Sequence, residues 1–96
     1  MITADDIRKR RDEINRLAAR YGAHHVRIFG SVARGDATDA SDLDLVVRFE
    51  PGRSLLDHGG LLMDLRDLLG VKVDVISEGS LTGRFGELVR KEAVPL

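Results

Sequence analysis

The sequence predicts an α/β (α+β) fold, in which a small mixed β-sheet is flanked by helices and the elements follow the order α-β-β-α-β-α. Two kinds of pattern support this prediction. Short stretches of alternating apolar residues indicate three strands, and capping residues followed by apolar residues at helical spacing indicate three helices. Two strands joined by a loop, followed by a helical crossover to a third strand, favour one mixed sheet covered by helices.

The first helix is predicted to begin near Ala4, because Thr3 and Asp6 form a capping box, and to end at Gly22. Its predicted inner face consists of Ile7, Ile14, Leu17, Ala18 and Tyr21. Its other faces are strongly basic and carry Arg8, Lys9, Arg10, Arg11, Arg16 and Arg20. Such a basic run is typical of a solvated helix face. The alternative is a surface that meets an acidic partner.

Three strands are predicted, of which the first and third are short stretches of alternating residues and the second is a run that ends before a turn. They cover His25 to Phe29, Leu43 to Phe49 and Val71 to Ile76. The turn residues Gly30-Ser31 end the first strand, and Pro51-Gly52 ends the second.

The second helix is predicted to follow the capping box of Ser54 and Asp57 and to end at Gly70. Gly59 and Gly60 lie within it and cost ~1 kcal/mol each, so a bend or a late start is expected there. Its inner residues are Leu61, Leu65, Leu68 and Leu69. The last helix is predicted to open at Ser80, with Leu81, Phe85, Leu88 and Val89 facing inward.

Composition narrows the classes of protein that are possible. The 96 residues are expected to form a single domain over positions 1–96. Fifteen basic and sixteen acidic residues give a net charge of −1, so direct binding of nucleic acid through charge alone is not expected. The absence of cysteine excludes disulfides and thiolate metal sites. Without a long apolar run, no membrane segment is expected, and a cytoplasmic location is the default.

Three aspartates are the main candidates for chemistry. Asp42 and Asp44 are two residues apart at the start of a predicted strand, so their carboxylates lie on the same face. Asp74 lies in the third strand and approaches them if the second and third strands are neighbours. Converging carboxylates repel one another unless a cation offsets their charge, and Mg²⁺ prefers oxygen ligands. Two Mg²⁺ ions held by such a set would form the clamp used in nucleotidyl transfer. The loop acids Asp36 and Asp39 are left out of this set.

Gly30 and Ser31 are candidates for binding phosphate. Glycine at the end of a strand lets the backbone approach a ligand closely. Residues Val32 to Arg34 are expected to begin a helical turn whose free N–H groups face a triphosphate, with a hydrogen bond from the Ser31 hydroxyl. The histidines His24, His25 and His58 share no spacing with the acids. We interpret them as structural or surface residues.

Together these residues resemble a known pattern. Residues 30–35 (GSVARG) and 41–47 (SDLDLVV) resemble the Gly-Ser…Asp-x-Asp motif of the DNA polymerase β-like nucleotidyltransferases. The short chain and the strand that carries Asp74 are most similar to the minimal nucleotidyltransferases (MNT, the MntA-like antitoxins), which are encoded beside HEPN-domain toxins. The resemblance extends from the first helix to Pro95, and no departure from the motif is found.

The resemblance implies a role for each matched residue. Asp42 and Asp44 correspond to the metal-binding pair, and Asp74 to the third carboxylate, which binds the catalytic metal and helps to activate the acceptor hydroxyl. Gly30 and Ser31 correspond to the turn that binds the triphosphate. Arg34 and Ser41 match recurrent positions of the nucleotide site, and a phosphate contact is expected for Arg34.

The resemblance also implies a function. The protein is expected to transfer AMP from ATP to a tyrosine of a HEPN-domain toxin, within a hetero-oligomer, as the antitoxin of a type VII-like toxin–antitoxin pair. Because transfer requires the acceptor to be held in line, a chain with no domain to grip its acceptor needs a partner protein, or a second copy of itself, to supply it. Two alternatives remain open. One is an antitoxin that acts by binding alone, and the other is a nucleotidyltransferase for small molecules.

Overall fold

The computed structural model describes residues 2–96 as a four-stranded sheet with helices on both faces. The helices are α1 (Ala4–Arg8), α2 (Arg11–Arg20), α3 (Gly30–Arg34), α4 (Leu55–Leu69) and α5 (Gly83–Glu92). The strands are β1 (Ala23–Phe29), β2 (Leu43–Phe49), β3 (Val73–Ser77) and β4 (Val94–Pro95). A 3₁₀ turn, Glu78–Ser80, lies between β3 and α5.

The sheet is mixed, with the strand order β3-β2-β1-β4. Strands β1 and β2 are antiparallel, while β2 and β3 are parallel because α4 returns the chain to the same end of the sheet. Strand β4 pairs antiparallel with the outer side of β1. The predicted fold class is therefore confirmed, and β2 and β3 are neighbours.

Two hydrophobic clusters occupy the two faces of the sheet. The larger cluster joins β1, β2 and β3 to α1, α2 and α4, and its buried members include Ile7, Ile14, Ile28, Leu43, Leu45, Leu61, Leu65 and Val73. The smaller cluster lies under α5 and contains Phe29, Val46, Leu81 and Val89. Helix α5 is the main cover of this second face, so the face is less completely covered than the first.

The predicted first helix is broken at Lys9 and Arg10, which is a correction to the single helix expected from the sequence. Its capping box at Thr3 and Asp6 is present. At the break, the Arg10 guanidinium donates a 2.8 Å hydrogen bond from Nη1 to the carbonyl of Leu68, near the end of α4. A cation at the C-terminal end of a helix is favourable. The break thus accompanies a contact between two distant parts of the chain.

Helix α4 has the predicted bounds, with the capping box of Ser54 and Asp57 and a stop at Gly70. The late start considered for this helix at Gly59 and Gly60 is not observed, because α4 begins at Leu55 and is continuous through both residues. A Cβ atom at Gly60 would lie 2.5 Å from Cε1 of Tyr21. Gly60 therefore leaves room for the Tyr21 ring.

Other boundaries differ from the prediction by a few residues. Strand β1 begins two residues early, at Ala23, and β3 begins at Val73 rather than at position 71. Helix α5 begins at Gly83 because the 3₁₀ turn occupies the expected start at Ser80. Strand β4 was not predicted. Within residues 2–96, no helix has the length and apolar character needed to cross a membrane.

Candidate active site

Three side chains form a row across β1, β2 and β3. Phe29 is the antiparallel partner of Asp44, and Asp44 is the parallel partner of Asp74. Partners directly opposite each other in a sheet project to the same face. The row therefore lies on the less covered face, with Asp44 between the phenyl ring and the second carboxylate. Asp42, which immediately precedes β2, lies two residues from Asp44.

The pKa of Asp44 shows that several charged side chains lie near it. The pKa of Asp44 is raised above its ordinary value of 3.8, first by partial burial and then by the negative charges of Asp74 and Asp42. The positive charge of Arg34 acts in the opposite direction and lowers this pKa. Asp74, Asp42 and Arg34 are thus all close enough to act on Asp44, although the four residues come from three separate parts of the chain.

Gly30 allows the backbone to pass close to Asp44. Its φ of +77° is in the left-handed region, which favours glycine. A side chain at this position would also collide with a carboxylate oxygen of Asp44. The backbone conformation therefore favours glycine here, and any larger residue would have to displace the Asp44 carboxylate.

The short helix α3 continues from this glycine. The first N–H groups of a helix have no partner within the helix. Those of α3 therefore lie at the end of β1, next to the carboxylates. The Ser31 carbonyl accepts hydrogen bonds of 3.0 Å from the N–H of Gly35 and 3.1 Å from that of Asp36, which closes the helix at its other end. The sequence predicted a turn from Val32 to Arg34, and the helix begins two residues earlier.

Arg34 and Ser41 differ in how close they lie to the acids. The Arg34 side chain is 49% exposed, its Nε is 3.3 Å from Oδ2 of Asp36, and its charge acts on Asp44. The Ser41 hydroxyl instead accepts a 2.9 Å hydrogen bond from the N–H of Thr38, within its own loop. The structure brings Arg34 to the acidic group, whereas the contacts of Ser41 organise the loop before β2. The nucleotide-binding role of Ser41 stays a prediction.

The three histidines have contacts elsewhere. The Nε2 atom of His24 is 2.7 Å from a carboxylate oxygen of Glu50, and that of His58 is 2.7 Å from the carbonyl of Val75. His25 is exposed. These contacts agree with their interpretation as structural or surface residues.

The donor set suits a hard divalent cation. Asp42, Asp44 and Asp74 offer only oxygen ligands, and their mutual repulsion is the kind that a cation relieves. Within residues 2–96, however, no three side chains of the ligating types already form a complete set around a single ion. The three carboxylates therefore fit Mg²⁺ in the chemistry of their donor atoms.

Comparison with known proteins identifies the family. The family model described as a nucleotidyltransferase domain matches residues 7–94. The chain belongs to the nucleotidyltransferase family. The protein adenylyltransferase MntA of Thermococcus cleftensis is 38% identical to it over 78 residues, which span 81% of this chain and 79% of that protein.

Two solved structures are similar to this nucleotidyltransferase. One, provisionally assigned as a minimal nucleotidyltransferase, is 53% identical with a TM-score of 0.87, and the match covers 99% of this chain and 97% of that one. The other is a toxin–antitoxin with AMP-PNP, which matches with a TM-score of 0.75 over 88% of this chain and 69% of that one. Because the two sequences are only 20% identical, this match shows a shared fold alone. The chain is thus a minimal, MntA-like nucleotidyltransferase, and it is an enzyme.

One aromatic residue of this nucleotidyltransferase lies where the sequence did not place it. Phe85 and Leu88 were expected to face inward, but they are 53% and 44% exposed, whereas Leu81 and Val89 are buried. The Phe85 ring meets the ring of Phe29 edge to face, with centroids 6.1 Å apart and an interplanar angle of 90°. An aromatic ring therefore lies next to the row that contains the acids. In the sequence, Phe85 comes just after the start of helix α5 at Thr82-Gly83, and this position is only a weak signal of its exposure.

Proposed function

We propose that this chain is a Mg²⁺-dependent nucleotidyltransferase that transfers AMP from ATP to the hydroxyl of a tyrosine on a HEPN-domain toxin. In this proposal the two proteins form a hetero-oligomer and the chain is the antitoxin of a type VII-like pair. The observation that carries the proposal is the pairing of Asp44 with Asp74 beside Asp42 and the Gly30 turn. We also propose that residues 1–96 act as one nucleotidyltransferase domain and that the protein works in the cytoplasm.

The reaction is a displacement at the α-phosphorus of ATP. The acceptor oxygen forms a bond to this phosphorus, and the bond from phosphorus to the oxygen that bridges the α- and β-phosphates breaks. Pyrophosphate leaves with the electron pair of that bond. The hydroxyl loses its proton, and the carboxylate of Asp74, the most exposed of the three acids, is the group we propose to accept it.

Each residue of the site has a proposed task. The free N–H groups at the start of α3 and the Ser31 hydroxyl bind the triphosphate, and Arg34 contributes positive charge to it. Asp42, Asp44 and Asp74 would hold two Mg²⁺ ions, which would neutralise charge on the phosphates and on the attacking oxygen. Gly30 keeps the phosphate turn and the carboxylates within reach of each other.

The comparisons support the choice of nucleotide and acceptor. The Thermococcus relative is named a protein adenylyltransferase, which specifies a protein acceptor and an adenylyl group for that enzyme. The toxin–antitoxin structure of the same fold contains AMP-PNP, an analogue of ATP. Because the acceptor must be aligned with the α-phosphate, a protein partner that carries the acceptor hydroxyl would itself provide much of this alignment.

Neutralisation in cells tests whether catalysis is needed. The product of the adjacent gene is expressed with the wild-type chain, with the Asp42→Ala/Asp44→Ala double variant, or with Asp12→Ala/Asp67→Ala. The last pair removes two exposed aspartates on α2 and α4, outside the site, and serves as the matched control. We expect growth with the wild type and the control and arrest with the site variant, although the site variant still co-purifies with the partner.

An antitoxin that acts by binding alone is the second candidate. The basic residues of α1 and α2 favour it, since most of them are solvent exposed and would suit an acidic partner surface. In the same experiment, full growth with the Asp42→Ala/Asp44→Ala variant would support this candidate and would contradict the catalytic proposal.

A further inference from the structure

The ring of Phe85 is exposed next to the proposed nucleotide site. Phe29, on which it rests, is only 8% exposed and is the strand partner of Asp44. Because the two rings meet at 90°, Phe29 contacts at most one face of Phe85. More than half of Phe85 remains accessible to solvent, in contrast to its buried neighbours on α5, Gly86 and Val89.

The position of Phe85 along the sheet indicates which substrate it meets. Gly30 follows Phe29 directly, so the phosphate turn and both phenyl rings lie on the β1 side of Asp44. Asp74 lies on the other side, on the edge strand β3. A triphosphate bound at the turn therefore lies on the same side of Asp44 as the exposed Phe85 ring, and the open edge at β3 is left for the acceptor.

We propose that Phe85 is the platform on which the base of the bound nucleoside triphosphate stacks. This inference rests on the proposed function and deepens it by assigning a residue to the base. Stacking of a base on an aromatic ring depends on the overlapping area of the two rings and tolerates different bases. Phe85 is therefore a positioning residue that selects purines over the smaller pyrimidines, without distinguishing adenine from guanine.

The test compares two ligands that share the phosphates but not the base. Binding of ATP and of inorganic tripolyphosphate, both with Mg²⁺, is measured by calorimetry for the wild type and for Phe85→Ala. We expect Phe85→Ala to weaken ATP binding roughly 5- to 150-fold, the range found when a stacking residue is truncated. Tripolyphosphate binding should not change. The same variant should also reduce the preference for ATP over CTP.

Two further variants act as controls. Leu88→Ala truncates the other half-exposed apolar residue on α5 and should leave both affinities unchanged. Phe85→Trp retains an aromatic face and should bind ATP at least as tightly as the wild type. If Phe85→Ala loses tripolyphosphate as well, its fold is compromised, and Phe85→Leu replaces it because leucine keeps apolar volume without an aromatic face.

The outcomes separate this inference from the function on which it rests. Unchanged ATP affinity in Phe85→Ala or Phe85→Leu overturns the inference while the proposed function stands. Unchanged ATP affinity with slower transfer to the protein partner also overturns it, because Phe85 would then contact the acceptor. If the wild type binds neither ATP nor tripolyphosphate in the presence of Mg²⁺, the proposed function fails and the inference fails with it.

Discussion

Asp44 and Asp74 lie directly opposite each other on the neighbouring parallel strands β2 and β3. The sheet therefore holds two carboxylates of like charge on one face, and Asp42 adds a third charge close by. Like charges in such positions destabilise a sheet. A cation that neutralises the three carboxylates during the reaction would explain why the fold keeps them together.

The metal-free protein should gain stability when Asp44 is replaced by asparagine. The pKa of Asp44 is raised in the fold, so the folded state favours the neutral carboxyl. Its contribution to stability is full below the ordinary value of 3.8 and is lost as the pH rises through the raised pKa. In chelator, Asp44→Asn should melt at a higher temperature than the wild type at neutral pH, and this difference should disappear at acidic pH.

Addition of Mg²⁺ should reverse the order of the two proteins. An ion that binds only the folded state raises its melting temperature. Mg²⁺ should therefore raise the melting temperature of the wild type, and it should raise that of Asp44→Asn much less. A variant that melts below the wild type at neutral pH in chelator would contradict the crowding of charge described above.

Replacement of Gly30 by alanine should damage both the fold and the site. The left-handed conformation costs a non-glycine residue about 1–2 kcal/mol. The added methyl group also displaces the carboxylate of Asp44. Because misplacement by about 1 Å can cost about 100-fold in rate, we expect at least that loss of transfer activity. Thermal unfolding and a transfer assay measure the two effects.

Gly35 offers a matched control for this variant. It also has a positive φ, of +83°, but a Cβ atom there meets nothing within 4 Å. Gly35→Ala should lose similar stability from backbone strain and keep most of its activity. Equal activity losses in the two variants would show that contact with Asp44 is not what makes Gly30 necessary.

The adjacent glycines of α4 should respond in opposite directions to alanine. Gly59 faces open space, so Gly59→Ala should stabilise the protein by up to about 1 kcal/mol through helix propensity. Gly60→Ala places a methyl group against the Tyr21 ring, whose hydroxyl is hydrogen-bonded to Asp64. Overpacking of this kind should destabilise the protein by about 1–3 kcal/mol. Chemical denaturation of both variants measures the difference, and a stabilised Gly60→Ala would contradict the packing.

The elements that the sequence predicted well are those with local signals. Helix α4 has its cap at Ser54 and its stop at Gly70 within its own stretch, and β2 is a short, mainly apolar run that ends before Pro51-Gly52. The break before α2 instead involves a contact from Arg10 to Leu68, which is 58 residues away. Strand β4 is two residues long, which is too short to show an alternating pattern in the sequence. It is a strand because it pairs with β1.

The candidate site was predictable to a similar extent. Alternation along a strand places Asp42 and Asp44 on one face, so this pair follows from local geometry. The pairing of Asp44 with Asp74 depends on the register between two strands, which no local pattern specifies. The exposure of Phe85 was missed because helical spacing predicted a wider inner stripe than α5 buries.

The most direct test of the account is the transfer of label from ATP to the product of the adjacent gene. ATP is labelled at either the α- or the γ-phosphate, and the wild type is compared with Asp74→Asn and with Asp67→Asn, an exposed aspartate on α4. We predict transfer from the α-position only, with at least about a 100-fold loss in Asp74→Asn, since loss of general base and electrostatic groups has effects of this size. Asp67→Asn should retain full transfer. Transfer by Asp74→Asn at the wild-type rate, or transfer of the γ-label, would contradict the account.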